Sequence, residues 1–158
     1  LAGALFESLA GISLVHVPYK GGGPAMLDLI GGRITMIFTA PPAAVPQLKA
    51  GRIKAIAVTT AKRSSLLPDF PTMAEAGVPG YEVNNWYAMA APAGTPRPVI
   101  MRLNKHLAAI LDTPEVKQAL FMQGVEASHS SPEALGRYMQ SEFDKWSALI
   151  KKAKIDAR

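Results

Sequence analysis

The sequence predicts an α/β fold with a mostly parallel sheet flanked by helices. Short apolar runs rich in β-branched residues alternate with helix-like stretches, the pattern of βα units. Those stretches stop at Gly31-Gly32 and at Ala50-Gly51, as helices do. The 158 residues are 49% hydrophobic and 18% charged, a balance that packs a core rather than staying disordered.

The opening LAGALFESLAG reads as a helix already under way, with Leu1, Leu5 and Leu9 on one face and Gly11 as its stop. No initiator methionine or capping residue precedes it, so the expectation is a piece of a longer protein. SLVHVPY, residues 13–19, is the first strand. Pro24 takes the first position of the short helix PAMLDLIGG. ITMIFTA (34–40) is a second buried strand, and PAAVPQLKAG a helix whose Pro46 sets its effective start nearby. IKAIAVTT (53–60) is a third strand. Residues 61–80 hold three prolines and read as a surface connection, with one helical turn over 72–76. EVNNWYAMAAP (82–92) is a strand that PAGTP closes.

The last third is helical. Val99, Leu103, Leu107, Ile110 and Leu111 form one stripe; Thr113 and Ser131 are N-caps, each followed by proline. Gly124 ends the helix between them, and VEASHS (125–130) is a short strand. Leu135, Tyr138, Met139, Phe143, Trp146, Leu149 and Ile150 make the apolar face of a long terminal helix. A shift of composition near residues 80 to 90 separates two packing units.

Several function classes drop out. Cysteine is absent, so there is no disulfide framework or thiolate metal site. No apolar stretch reaches the length of a membrane span. The net charge of +5 is scattered, without dense runs or interleaved aromatics, so nothing marks a nucleic-acid surface. It does speed encounter with small anions.

The chemistry gathers at Tyr19-Lys20-Gly21-Gly22-Gly23-Pro24, where a strand hands over to a helix. The lysine precedes the glycines, so this is not a Walker loop, and the third place of G-x-G-x-x-G fails as well. Two readings fit: a plain tight turn, or a seat for a carboxylate on the free N–H groups and positive end of the following helix. Lys20 would add long-range attraction. Phe38-Thr39-Ala40-Pro41 follows the next strand, and in an open parallel sheet both turns face one crevice. Thr39 would offer that edge its hydroxyl or else cap the next helix. Trp86 fits core packing and pocket lining equally.

His16, His106 and His129 are far apart in the chain, acidic residues show no catalytic pairing, and no G-x-S-x-G elbow occurs. Neither cofactor nor catalysis is expected. A ligand-sensing regulatory domain and a small-molecule enzyme on an α/β sheet are the rival readings.

The order of VPYKGGGPAMLDLIGGRITMIF, AVTTAKRS, PAGTP and the E-x-x-K-W of Glu142 to Trp146 resembles the periplasmic solute-binding receptors of tripartite tricarboxylate transporters, Bug-type and TctC-like. The resemblance runs from Leu1 almost to Arg158. It implies a clamshell of the type II periplasmic-binding kind, which presents a small organic carboxylate to a membrane permease. It also implies that a signal peptide and most of a first lobe precede this chain. Residues 1–84 would be most of the second, ligand-binding lobe, and 85–158 the returning part of the first. Tyr19 to Pro24 match the family's second-lobe ligand loop, with Thr39, Ala40 and Trp86 near the cleft. Thr39 stands where the family commonly has an acidic residue, which implies a plain mono- or dicarboxylate rather than an amino acid. Strand edges left open in this fragment would favour pairing or swapping into a homodimer.

Overall fold

A computed structural model describes residues 1–155. Among the described residues six helices follow in order: α1 (Ala2–Ala10), α2 (Gly22–Ile30), α3 (Pro41–Lys49), α4 (Arg97–Leu111), α5 (Pro114–Met122) and α6 (Pro132–Ala153). Their ends follow local chemistry. α1 stops at Gly11, whose left-handed φ of 67° lets its N–H return to the Glu7 carbonyl. The α5 and α6 helices open on proline and α4 has Pro98 as its second residue; a missing N–H costs nothing in a first turn.

Two of the expected caps behave differently. The Ser131 side chain accepts the Ala134 N–H at 3.1 Å and caps α6. Thr113 occupies the N-cap position of α5, but its hydroxyl donates back to the Ile110 carbonyl at 2.8 Å and caps nothing. Ser131→Ala is therefore expected to cost about 1 kcal/mol, and Thr113→Ala less than about 0.5 kcal/mol. Paired urea titrations of the two variants check the difference.

The helices near the glycines also start earlier than the sequence suggests. Pro24 is the third residue of α2, which begins at Gly22. α3 begins at Pro41 rather than near Pro46 and runs through that proline. Pro41 and Pro42 pre-set the helical φ. The carbonyl that Pro46 leaves without a donor belongs to exposed Pro42, where water can serve it. The turn expected over 72–76 forms as a capping box without a helix. Thr72 N–H donates to Glu75 Oε2 at 2.8 Å, and Glu75 N–H to Thr72 Oγ1 at 3.1 Å.

The expected parallel sheet is not formed. None of the five runs (13–19, 34–40, 53–60, 82–92 and 125–130) is a strand among the described residues. What remains of pairing is one parallel bridge between Val58 and Thr72, plus a bond from Val83 N–H to the Thr59 carbonyl at 2.8 Å. β-branched composition suits a residue to a sheet, but only a neighbouring segment supplies the ladder. The uncovered faces are plain: Val15 is 92% exposed, Ile56 74% and Tyr87 77%. Two separately compact units of half this mass would together expose about 9,200 Å². The chain exposes 11414 Å². Much apolar surface is thus left open.

The chain divides into two units, Leu1–Asn84 and Asn85–Arg158. In the first, the core is aromatic. Tyr81 is 1% exposed, stacks on Phe38 at 6.2 Å between centroids and meets Phe6 edge-on at 6.4 Å. Its hydroxyl donates to the Ala2 carbonyl at 3.1 Å, tying the Tyr81 segment to α1. Leu5, Met26, Val58 and Thr72 are buried in the same unit.

In the second unit, α6 provides the centre. Glu142 is buried and accepts from Lys145 Nζ and from Trp146 Nε1, the latter at 3.0 Å. These three residues sit at i, i+3 and i+4, one face of the helix. Arg97 pairs with Glu133 at 2.7 Å, and Asn104 donates to the Ser130 carbonyl at 2.8 Å, fastening α4 to the start of α6.

Candidate functional site

Gly21 adopts φ 118°, a region that L side chains rarely enter, and turns the chain directly into α2. The amides that this leaves without helical partners are those of Gly22 and Gly23; Pro24 has no N–H to offer. Among the described residues no backbone acceptor takes either amide. Both glycines are exposed, and a Cβ built on either would meet nothing within 4 Å. The positive end of the α2 dipole thus opens on free space, a geometry suited to an anion.

A groove of about 560 Å³ runs from Gly22, Gly23 and Pro24 along Met26, Leu27 and Ile30 of α2. Its other wall is Ala43 and Gln47 of α3, with Arg52 just beyond that helix. Arg52 is exposed, and none of the described ion pairs involves its guanidinium. Gln47 Oε1 is a buried acceptor with no donor among the described residues. Sequence reasoning missed this wall. Its one visible signal was a basic residue directly after the Ala50-Gly51 stop.

Tyr19, Lys20, Gly21, Gly22, Gly23 and Pro24 lie together in this one turn. Lys20 is exposed and joins no described ion pair. Tyr19 is engaged elsewhere: its hydroxyl donates to Asp28 Oδ2 at 2.8 Å, and Arg33 Nη1 donates to Asp28 Oδ1 at 2.7 Å. The bond to Asp28 raises the Tyr19 pKa, and the bonds from Tyr19 and Arg33 hold the Asp28 carboxyl below its usual range.

Thr39 and Ala40 are exposed at the start of α3. Ala40 is the N-cap and no side chain caps this helix, so Thr39 is not its cap. Neither residue lines the groove. Trp86 belongs to the second unit. It packs edge-on against Tyr138 at 5.6 Å between ring centroids. No cluster of three or more His, Asp or Glu side chains among the described residues is arranged to hold a metal ion.

The family model described as "TctC: Tripartite tricarboxylate transporter family receptor" matches residues 1–155. A Pseudomonas sp. (strain P51) protein, "UPF0065 protein in tcbD-tcbE intergenic region", is 39% identical over 158 residues, 99% of this chain and 47% of that protein. The solved structure "R. palustris Rpa4515 with adipate" is 40% identical with a TM-score of 0.78, over 98% of this chain and 52% of that one. "MatC (Rpa3494) from Rhodopseudomonas palustris with bound malate" is 31% identical with a TM-score of 0.71, over 94% and 52%. The chain spans about half the length of these relatives.

Proposed function

Since the chain belongs to the tripartite tricarboxylate transporter receptor family, whose members are solute-binding receptors and not enzymes, we propose that it forms part of a periplasmic receptor for a small organic mono- or dicarboxylate. The receptor hands its ligand to the membrane permease of the transporter. Residues 1–84 belong to the ligand-binding second lobe and residues 85–158 to the returning part of the first.

One observation carries this reading: the exposed Gly22 and Gly23 amides at the positive end of α2, which no backbone acceptor takes among the described residues. A carboxylate placed there takes two main-chain donors and the helix field together. Lys20 and Arg52 add positive potential. Two relatives were solved with the dicarboxylates adipate and malate, which supports the ligand class. The uncovered faces of residues 13–19 and 53–60 pair with strands from the rest of the receptor. In the isolated chain they favour pairing with a second copy.

The test is a thermal-shift screen of the full-length receptor against adipate, malate and small monocarboxylates. A ligand at a hundred times its Kd should add about 2.7 kcal/mol of stability. Gly22→Val is expected to abolish that protection while leaving the unliganded melting temperature in place, because the new side chain enters empty space. Full protection in this variant, or no protection of the wild type by any of these acids, overturns the proposal.

A further inference from the structure

We infer that Asp28 is a positioning residue for the anion seat, acting through Tyr19 to hold the glycine turn in its binding shape. The inference rests on the reading of Gly22 and Gly23 as that seat. Asp28 lies in the last turn of α2. The dipole there is negative, so an acid is electrostatically misplaced by helix chemistry alone. What offsets it is a set of bonds to both flanks of the helix. Tyr19 Oη donates to one carboxylate oxygen at 2.8 Å and Arg33 Nη1 to the other at 2.7 Å. The Arg33 N–H donates to the Asp28 carbonyl at 2.8 Å as well.

Tyr19 is the residue immediately before Lys20-Gly21-Gly22-Gly23. Its hydroxyl therefore closes a loop that contains the whole turn, anchored at the far end of the helix the turn begins. Three consecutive glycines lose more backbone freedom on ordering than any other tripeptide. Left untied, the turn would have to be ordered by the ligand, at the expense of affinity. Tied at Tyr19, it is arranged beforehand. This gives the tyrosine a purpose other than touching the ligand, and explains why its hydroxyl points away from the turn.

The test uses the full-length receptor with Tyr19→Phe, Asp28→Ala and the double variant. Tyr19→Phe keeps the half-buried ring and removes only the tie, so it stays informative if Asp28→Ala folds poorly. Two readings are taken: ¹⁵N order parameters of Gly21 to Gly23 without ligand, and Kd for adipate or malate, whichever protects the wild type.

Order parameters near 0.85 in the wild type are expected to fall below about 0.6 in each variant. Kd is expected to rise about 5- to 10-fold in each single variant and no further in the double, since the two residues act as one unit. Unchanged order parameters overturn the tie, and so does a mobile turn with unchanged Kd. If Gly22→Val abolishes binding while Tyr19→Phe and Asp28→Ala leave Kd alone, only the tie is lost. If Gly22→Val binds normally, or neither acid protects the wild type, the seat itself is wrong and the tie goes with it.

Discussion

Tyr81→Ala is expected to cost the first unit about 3–5 kcal/mol, enough to unfold it. The residue is 1% exposed and its ring meets both Phe38 and Phe6, so truncation leaves a cavity between α1 and the 34–40 run. That run carries Phe38 directly ahead of Thr39 and α3, one wall of the groove. Tyr81→Phe keeps the ring and loses only the hydrogen bond to the Ala2 carbonyl, a cost of about 1 kcal/mol. Denaturant unfolding followed by circular dichroism, with amide exchange read over residues 2–10, separates the two. An alanine variant no weaker than the phenylalanine one would remove the aromatic cluster as the support of this unit.

The same residue imposes an alkaline limit. Burial pushes the Tyr81 hydroxyl from 10.0 to about 12. The folded state thus holds this proton more tightly than the unfolded chain does. Its contribution is complete below pH 10 and is lost as pH rises through 12. Tyr81→Phe should lose that part of the alkaline destabilisation.

Glu142→Ala is expected to cost the second unit about 2–3 kcal/mol, the scale of hydrogen bonds to a charged group. The loss exceeds that of an ordinary surface ion pair because the carboxylate is buried and serves both Lys145 and Trp146. Removing it leaves the Trp146 indole without its acceptor, next to the Trp86–Tyr138 ring pair. Both tryptophans lie in this unit, so fluorescence-monitored urea unfolding follows it directly. Burial raises the Glu142 pKa, and the bonds from Lys145 and Trp146 outweigh it, leaving a value below the ordinary 4.5. Its contribution is therefore full above pH 4.5 and fades as pH falls through the lowered value. The variant should show a shallower acid transition. A change below about 0.5 kcal/mol would mean that the cluster merely decorates α6.

All six helices could be read from the chain, because their signals are local. Gly11 takes its left-handed stop and Ser131 its cap with no help from distant residues. The glycine turn was equally legible, since only glycine accepts the φ of Gly21. Where a side chain had a choice of acceptor, the local reading failed, as when Thr113 turned to Ile110; the starts of α2 and α3 also came earlier than Pro24 and Pro46 suggested. The partners of Asp28 could not be read from the chain, because they lie five residues ahead and nine behind, spacings that no helix or strand period predicts.

By itself, then, the sequence determined which segments are helical and where they stop, where the backbone must be glycine, and which family the chain belongs to. Tertiary structure alone decided which runs found partners, that Tyr19 serves Asp28, and that Trp86 packs on Tyr138. The physical reason is range. A cap or a left-handed turn is settled within one turn of chain, whereas a ladder or a buried carboxylate depends on segments that must be brought together, and composition does not say which ones meet.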